Sequence, residues 1–111
     1  MQLLVLVLNR EEKLEEVLTY FLEEGVSGAT ILDSEGMGRF LSQEVPIFAG
    51  FRDLFAPARP FNRTILSVVP DELADRLAQG VGRILGGWDR KGTGVMFTVP
   101  VSGAWGVGKG E

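Results

Sequence analysis

The amino-acid sequence predicts an α+β fold of the ferredoxin-like type, a β-α-β-β-α-β sandwich with a four-stranded antiparallel sheet and two helices on one face. Three observations support this prediction. Four apolar runs have the length of strands, two segments repeat apolar residues at helical spacing, and the elements follow in the order of two β-α-β units. With 111 residues, of which 45% are hydrophobic, the chain has the size and composition of one domain.

The first unit begins with an unbroken apolar run over residues 2–8, which predicts a buried strand. Asn9 is predicted to cap the following helix, with Glu12 three residues later as its capping-box partner. Gly25 is predicted to end this helix in the left-handed conformation. The second strand is predicted at residues 29–33. The apolar stripe of this helix consists of Leu14, Val17, Leu18, Phe21 and Leu22.

The second unit starts with a strand predicted at residues 63–69. Pro70 and Asp71 then open the second helix, and the two glycines at residues 86–87 end it. A glycine turn leads into the fourth strand, which is predicted at residues 95–101, and a glycine-rich tail follows. The buried face of the second helix consists of Leu73, Leu77, Val81, Ile84 and Leu85.

The segment between Asp33 and Asn62 shows no sustained hydrophobic period. Loops longer than about 12–15 residues are uncommon in compact domains and usually serve binding or switching. We therefore expect a mobile functional loop. Its apolar residues indicate either a folded-back or helical segment around residues 48–55 that packs on the protein itself, or a docking surface for a partner. They are Val45, Ile47, Phe48, Phe51, Leu54, Phe55 and Phe61.

The strands are apolar on both faces. In the first strand Leu3, Val5 and Val7 point one way while the even-numbered leucines point the other. Two helices cover only one face of a sheet, and monomers rarely expose more than a few hundred Å² of apolar surface. We therefore expect a homo-oligomer that buries the second face.

Composition argues against several classes of function. The chain has no Cys and no His, which removes disulfides, thiolate metal sites, the commonest general base and the commonest metal ligand. The formal net charge of −4 disfavours nucleic-acid binding, which depends on a basic face. No apolar stretch approaches the roughly 20 residues that span a bilayer, and the first strand leaves no room for a signal peptide. We expect a non-enzymatic cytoplasmic protein without membrane insertion.

Basic residues are concentrated in the connections between elements. They are predicted either to attract a small anion to the loop surface or to be solvated loop charges. They are Arg39, Arg52, Arg59, Arg63, Arg90 and Lys91.

Four short motifs occur along the chain in a recognisable order. They are residues 25–30 (GVSGAT), residues 36–39 (GMGR), residues 67–72 (SVVPDE), and residues 92–94 (GTG) followed by Phe97. With this order and spacing the chain resembles the PII nitrogen-regulatory superfamily over nearly its whole length, as a single PII-like domain at residues 1–111. The resemblance implies a homotrimer whose sheets face one another around an axis. It also implies nucleotide binding in clefts between subunits and a signalling T-loop at about residues 35–61.

The resemblance also implies where a ligand is bound. Gly36, Gly38 and Arg39 would lie at the base of the T-loop beside the cleft. Gly92, Thr93 and Gly94 would form a glycine loop whose backbone N–H groups face phosphates, because glycine lets a backbone approach an anion closely. Both glycine groups could instead be ordinary turns. The further candidate ligand-binding residues are Arg63, Trp88, Arg90 and Lys91.

A different feature of the sequence supports each of these further candidates. Arg63 lies near the position where a family lysine leads into the third strand. Arg90 and Lys91 precede the glycine loop. Trp88 could stack on a nucleobase, or it could pack beneath the end of the second helix.

The chain departs from its relatives at several positions. Family members that bind ATP usually have an aspartate–glycine–lysine sequence after the glycine loop, where this chain has Thr93 and Val95. The arginine pair that follows the fourth strand in the family is absent, since Lys109 is the only basic residue after Trp105. The loop also contains no tyrosine for uridylylation, because the only tyrosine, Tyr20, belongs to the first helix.

The sequence therefore predicts a PII-like signal-transduction protein that senses a small anionic effector in intersubunit clefts. The candidate effectors are ATP, ADP, AMP or another nucleotide, and the signal would pass through the long loop to a protein target at residues 40–61. The alternative is a protein-interaction module of the same fold. Such a module would have lost nucleotide binding and would dock its partner through the hydrophobic loop.

Overall fold

The computed structural model describes residues 1–44 and 61–107. The helices are α1 at Leu14–Glu23, α2 at Met37–Glu44 and α3 at Asp71–Leu85, with a 3₁₀ turn at Glu11–Lys13 before α1. The strands are β1 at Gln2–Leu8, β2 at Thr30–Ser34, β3 at Asn62–Val69 and β4 at Gly94–Pro100. They form one sheet in the order β2-β3-β1-β4, in which every neighbouring pair is antiparallel. The predicted ferredoxin-like α+β fold is confirmed.

One hydrophobic core joins the sheet to α1 and α3. Leu4, Leu6 and Leu8 of β1 are fully buried, as even-numbered residues of a half-covered strand should be. Leu22 does not belong to this core, although it lies in the predicted stripe of α1, because its side chain is 73% exposed. The remaining core side chains are Val17, Phe21, Val26, Ile65, Val69, Leu73, Leu77, Val81 and Leu85.

The opposite side of the sheet, here called the outer face, is also apolar. Cross-strand pairing places Val5 between Leu66 and Phe97, and Leu3 between Val68 and Val99. Val95, Phe97 and Val99 of β4 remain about half exposed. The outer face consists of Leu3, Val5, Val7, Leu66, Val68, Val95, Phe97 and Val99.

The start of the first helix differs from the prediction. Asn9 does not cap it, and neither Arg10 before the 3₁₀ turn nor Lys13 before α1 makes a side-chain cap hydrogen bond. The Asn9 backbone N–H donates to the Thr93 carbonyl (3.1 Å), and its side chain accepts from Asn62 (3.0 Å). Both groups that a capping box requires from Asn9 are therefore used by neighbouring strands.

The segment predicted as an irregular loop begins with a helix. The Phe40 N–H donates to the Gly36 carbonyl (3.0 Å) at the start of α2. Met37 and Phe40, three positions apart on this short helix, are 73% and 48% exposed. Eight residues that include a glycine give too weak a period to be identified in the sequence. The helical segment expected around residues 48–55 lies outside the described residues.

Asp71, at the start of α3, is linked to the start of β1. The N-terminal ammonium of Met1 lies 2.8 Å from its carboxylate, and Gln2 Nε2 donates to the same oxygen at 3.0 Å. These two hydrogen bonds lower the pKa of Asp71 below its ordinary value.

None of the helices in residues 1–44 and 61–107 combines the length and apolar character needed to cross a membrane.

Two glycines inside α3 allow aromatic rings to lie on the helix backbone. The Tyr20 ring lies over Gly80 and its hydroxyl donates to the Arg76 carbonyl at 2.8 Å. In the same way, Trp88 lies over Gly82, where an added Cβ would be 2.7 Å from its Nε1. These contacts explain why two glycines with low helix propensity occur within a buried helix face.

We predict that Gly80→Ala destabilises the protein by about 1–3 kcal/mol, because the added methyl group overlaps the Tyr20 ring. Alanine alone favours a helix by about 1 kcal/mol over glycine. In a Tyr20→Ala background the same substitution should therefore stabilise the protein. Denaturant unfolding at fixed protein concentration measures both effects. A stabilising Gly80→Ala in the wild-type background would contradict this account.

Candidate functional site

The glycine turn before β4 has a tightly constrained backbone. Gly92 has φ 77° and Gly94 has φ 150°. A Cβ at Gly94 would lie 2.5 Å from the Val7 carbonyl oxygen, so only glycine permits this approach to β1. Thr93 is buried, and its hydroxyl donates to the Arg90 carbonyl at 3.0 Å. The turn therefore packs closely against the backbone of β1.

A row of polar residues connects this turn to the far edge of the sheet. Thr93 accepts from the Asn9 backbone N–H, and Asn9 Oδ1 accepts from Asn62 Nδ2. Asn62 Oδ1 in turn accepts from the Ser34 hydroxyl. This polar row, consisting of Ser34, Asn62, Asn9 and Thr93, crosses the ends of all four strands in their order in the sheet.

Asn62 is the centre of the polar row. It is only 7% exposed, and it lies on the side of β3 that also carries Thr64 and Leu66. Ser34 Oγ also lies 2.8 Å from Thr64 Oγ1, so β2 and β3 are joined by two side-chain hydrogen bonds at this end. A buried amide needs such partners, because an unsatisfied polar group costs about 1–3 kcal/mol.

The polar row brings together two of the groups identified in the sequence. Gly36 lies against Asn62, since a Cβ at Gly36 would be 3.7 Å from Asn62 Nδ2. The glycine turn at residues 92–94 lies at the other end of the row. Gly38 and Arg39 follow in α2, and the side chain of Arg39 lies outside the described part. The contact between Asn9 and Asn62 could not be predicted from the sequence, because it depends on the strand register.

The basic candidates are arranged differently. Arg63 forms ion pairs with Asp33 and Glu11, each at 3.0 Å, on the face opposite to Asn62. Arg90 extends over the end of α3, where a Cβ at Gly86 would lie 2.7 Å from its Nη1. Lys91 is exposed beside the glycine turn. Lys91 is therefore an exposed cation beside the turn, whereas Arg63 is engaged in ion pairs with two carboxylates.

Trp88 packs against α3. Its Nε1 donates to the Ala78 carbonyl at 2.9 Å and its ring lies over Gly82. Trp88 therefore packs beneath the end of the helix, which is the second of the two alternatives predicted for it from the sequence. The ring is still 37% exposed at its outer edge.

An open cleft of about 400 Å³ lies at the other end of the outer face, and the sequence analysis did not identify it. Leu3 in its wall is six residues from Asn9 along the first strand, which corresponds to about 20 Å. Among the described residues, no charged side chain lines the cleft. Its walls are Leu3, residues 27–30, residues 66–68, Gly106 and Val107. Within the described ranges, no three acidic side chains come close enough together to hold a metal ion.

We predict that Asn62→Leu destabilises the protein by about 1–3 kcal/mol, because Asn9 and Ser34 lose their common partner. Asn9→Ala should then add little in the Asn62→Leu background, since the shared bond is already absent. Thr64→Val is the control, because it leaves the bond between Ser34 and Asn62 in place. Urea unfolding at one protein concentration gives all four values. Additive effects of Asn9 and Asn62 would show that the two side chains are not coupled.

The whole chain, residues 1–111, matches the family model described as nitrogen regulatory protein P-II. A search of curated proteins finds no match. The matched range includes the four-stranded antiparallel sheet, the two core helices and the glycine turn. The resemblance predicted from the order of the glycine motifs is confirmed: the chain belongs to the nitrogen regulatory protein P-II family, whose members are signalling regulators.

Proposed function

We propose that this P-II family protein is a trimeric, non-enzymatic signal transducer that senses a small anionic ligand, with a nucleotide as the first candidate, between subunits. The observation that carries the proposal is the polar row. It runs from the glycine turn at residues 92–94 to Asn62, and Gly36 at the start of the loop segment lies against Asn62. A ligand held at the turn is thereby connected to the segment that would transmit the signal.

The outer face supports the trimeric state. Its side chains form continuous cross-strand rows, of which Leu66, Val5 and Phe97 make one. Phe97 remains 49% exposed in the single chain, and neighbouring Val95 and Val99 are exposed to a similar extent. An apolar surface of this kind on a soluble chain usually marks an interaction site. Other copies of the same sheet would cover it without leaving unpaired charges.

The glycine turn offers a specific way to bind an anion. Gly92 is exposed, so its backbone amide can approach a ligand closely, and Lys91 beside it supplies a positive charge. The Thr93 hydroxyl is already bonded to Arg90, and Arg63 is neutralised by two carboxylates. Within this proposal the turn amides and Lys91 bind the anion, and Arg39 reaches it from the loop base.

The loop segment would carry the signal. Residues 35–61 correspond to the T-loop of the family, and their first part is α2. Met37 and Phe40 present apolar side chains on this helix that the described chain leaves exposed. A protein target would bind at residues 40–61, with its access set by the ligand. The cytoplasmic location, and the absence of nucleic-acid binding and membrane insertion, belong to the same proposal.

The second candidate function is a protein-interaction module that no longer binds nucleotides. Thr93 and Val95 occupy the positions where ATP-binding relatives have aspartate and lysine. Trp88 donates to a helix carbonyl and packs on Gly82, which leaves only its outer edge for a base. These observations favour a surface that acts through the apolar side chains of α2 and the following loop.

We predict opposite outcomes for two neighbouring substitutions in β1. Val5→Glu places a carboxylate on the outer face, where it should give a folded monomer, because burying an unpaired charge between copies costs several kcal/mol. Leu6→Glu places the charge in the core, where the leucine is 0% exposed, and should unfold the subunit. Light scattering gives the mass and circular dichroism the folded fraction.

Val5→Ile is the matched control, because it keeps the β-branched apolar character and the strand preference of valine without adding a polar or charged group. It should assemble like the wild type. If Val5→Glu assembled normally and remained folded, the outer face would not be the interface between copies.

We predict that calorimetric titration with ATP, ADP, AMP and cyclic dinucleotides detects binding of at least one, and that Arg39→Ala weakens it. The same variant should remove ligand-dependent protection of Arg52 and Arg59 from trypsin while leaving the trimer intact. Arg83→Ala, an exposed arginine on α3, is the control and should bind as the wild type does.

The two candidate functions give different results in this experiment. No heat of binding with any of these ligands at millimolar concentration would exclude the nucleotide sensor and favour the interaction module. Binding without any change in cleavage at Arg52 and Arg59 would show that the loop does not respond to the ligand.

A further inference from the structure

The chain after β4 returns to the outer face. The Val101 N–H donates to the Met1 carbonyl at 3.0 Å, which extends the pairing of β1 and β4 by one residue. Gly106 then adopts φ 85°, and Gly106 and Val107 line the cleft together with Leu3 and other outer-face residues. The tail therefore belongs to the same surface as the outer face.

Trp105 projects from this tail into solvent. Its side chain is 91% exposed, the largest value among the exposed large hydrophobic side chains that the structure describes. On one side the ring lies against Gly103, where an added Cβ would be 3.1 Å from Cη2. The other tryptophan, Trp88, has a hydrogen-bonded indole and is 37% exposed. Trp105 thus offers a large apolar ring that its own chain leaves uncovered.

We propose that a second copy of this chain covers Trp105, so that the indole is an anchor of the interface between subunits. The inference rests on the proposed trimer and adds a specific residue to it. Tryptophan is enriched among the few side chains that dominate binding at protein interfaces. An indole also buries about 150–250 Å² of surface when a partner covers it.

Three observations favour a second copy over a different partner. The tail is continuous with the outer face, which already requires a cover. The cleft beside it is lined by apolar and uncharged polar residues, which match another outer face better than a charged ligand. Val95, Phe97 and Val99 form an exposed row on the adjacent strand, so that one contact could cover the ring and the row together.

Fluorescence of the single-tryptophan variant Trp88→Phe tests the proposal directly, because Trp105 is then the only tryptophan in the chain. The emission of Trp105 should shift to shorter wavelength, and its quenching by acrylamide should fall, as protein concentration rises through assembly. In the Val5→Glu variant carrying the same replacement, Trp105 should stay solvent-exposed at all concentrations.

A second measurement does not depend on Trp88→Phe folding. Because the chain has no cysteine, Trp105→Cys introduces a unique thiol, and its reaction with a maleimide should be slower at protein concentrations high enough for this variant to assemble. Trp105→Ala should raise the concentration at half-assembly at least about tenfold. Leu22→Ala is the control, since Leu22 is an exposed apolar residue on α1 and should not change assembly.

The outcomes separate this inference from the function on which it rests. A wild-type chain that stays monomeric overturns the trimer and the anchor together. A trimer in which Trp105 remains quenchable, the thiol at position 105 reacts freely, and Trp105→Ala assembles normally overturns the anchor alone. Protection of Trp105 only after a different protein is added would assign the ring to that partner and also overturn the inference.

Discussion

The structure depends on one constraint: two helices cover only one side of a sheet whose strands are apolar on both sides. On the covered side, Leu4, Leu6 and Leu8 are fully buried. Burial of such leucines stabilises the subunit by about 1.5–3 kcal/mol each. The alternating residues of the same strand face away from the helices. One face of the sheet is therefore buried within the subunit, while apolar residues of its other face remain exposed in the single chain.

The polar row is placed where this apolar face ends. Asn9, Asn62 and Ser34 satisfy one another across three strand ends, so the transition from apolar to polar surface leaves the buried Asn62 amide paired. The same bonds reach the glycine turn, and Gly36 lies against Asn62 at this end of the sheet. Packing and site geometry are thus connected, because β1 contributes residues to the outer face and also positions Asn9 at its end.

The sequence predicted the elements better than the contacts between them. Apolar runs and period-3.6 patterns identified four strands and the second core helix within a residue of the observed bounds, because these patterns are local. The first core helix was also identified, but it begins at Leu14, after a 3₁₀ turn, rather than directly after Asn9. Helix α2 was missed because it is short, includes Gly38 and keeps Met37 and Phe40 exposed. Asn9 was misassigned as a cap since its actual partners, Thr93 and Asn62, are distant in sequence and depend on register. The same limit left Arg63 and Trp88 with two readings each, until their ion pairs and carbonyl contact could be seen.

Sedimentation equilibrium of the unaltered protein shows whether copies of the same chain bury the outer face. The account predicts, at micromolar concentration, one species with three times the mass of the 12.1 kDa chain. It also predicts that this mass falls on dilution rather than on addition of salt, because the contact is apolar rather than ionic. A stable 12.1 kDa monomer at micromolar concentration would contradict the account.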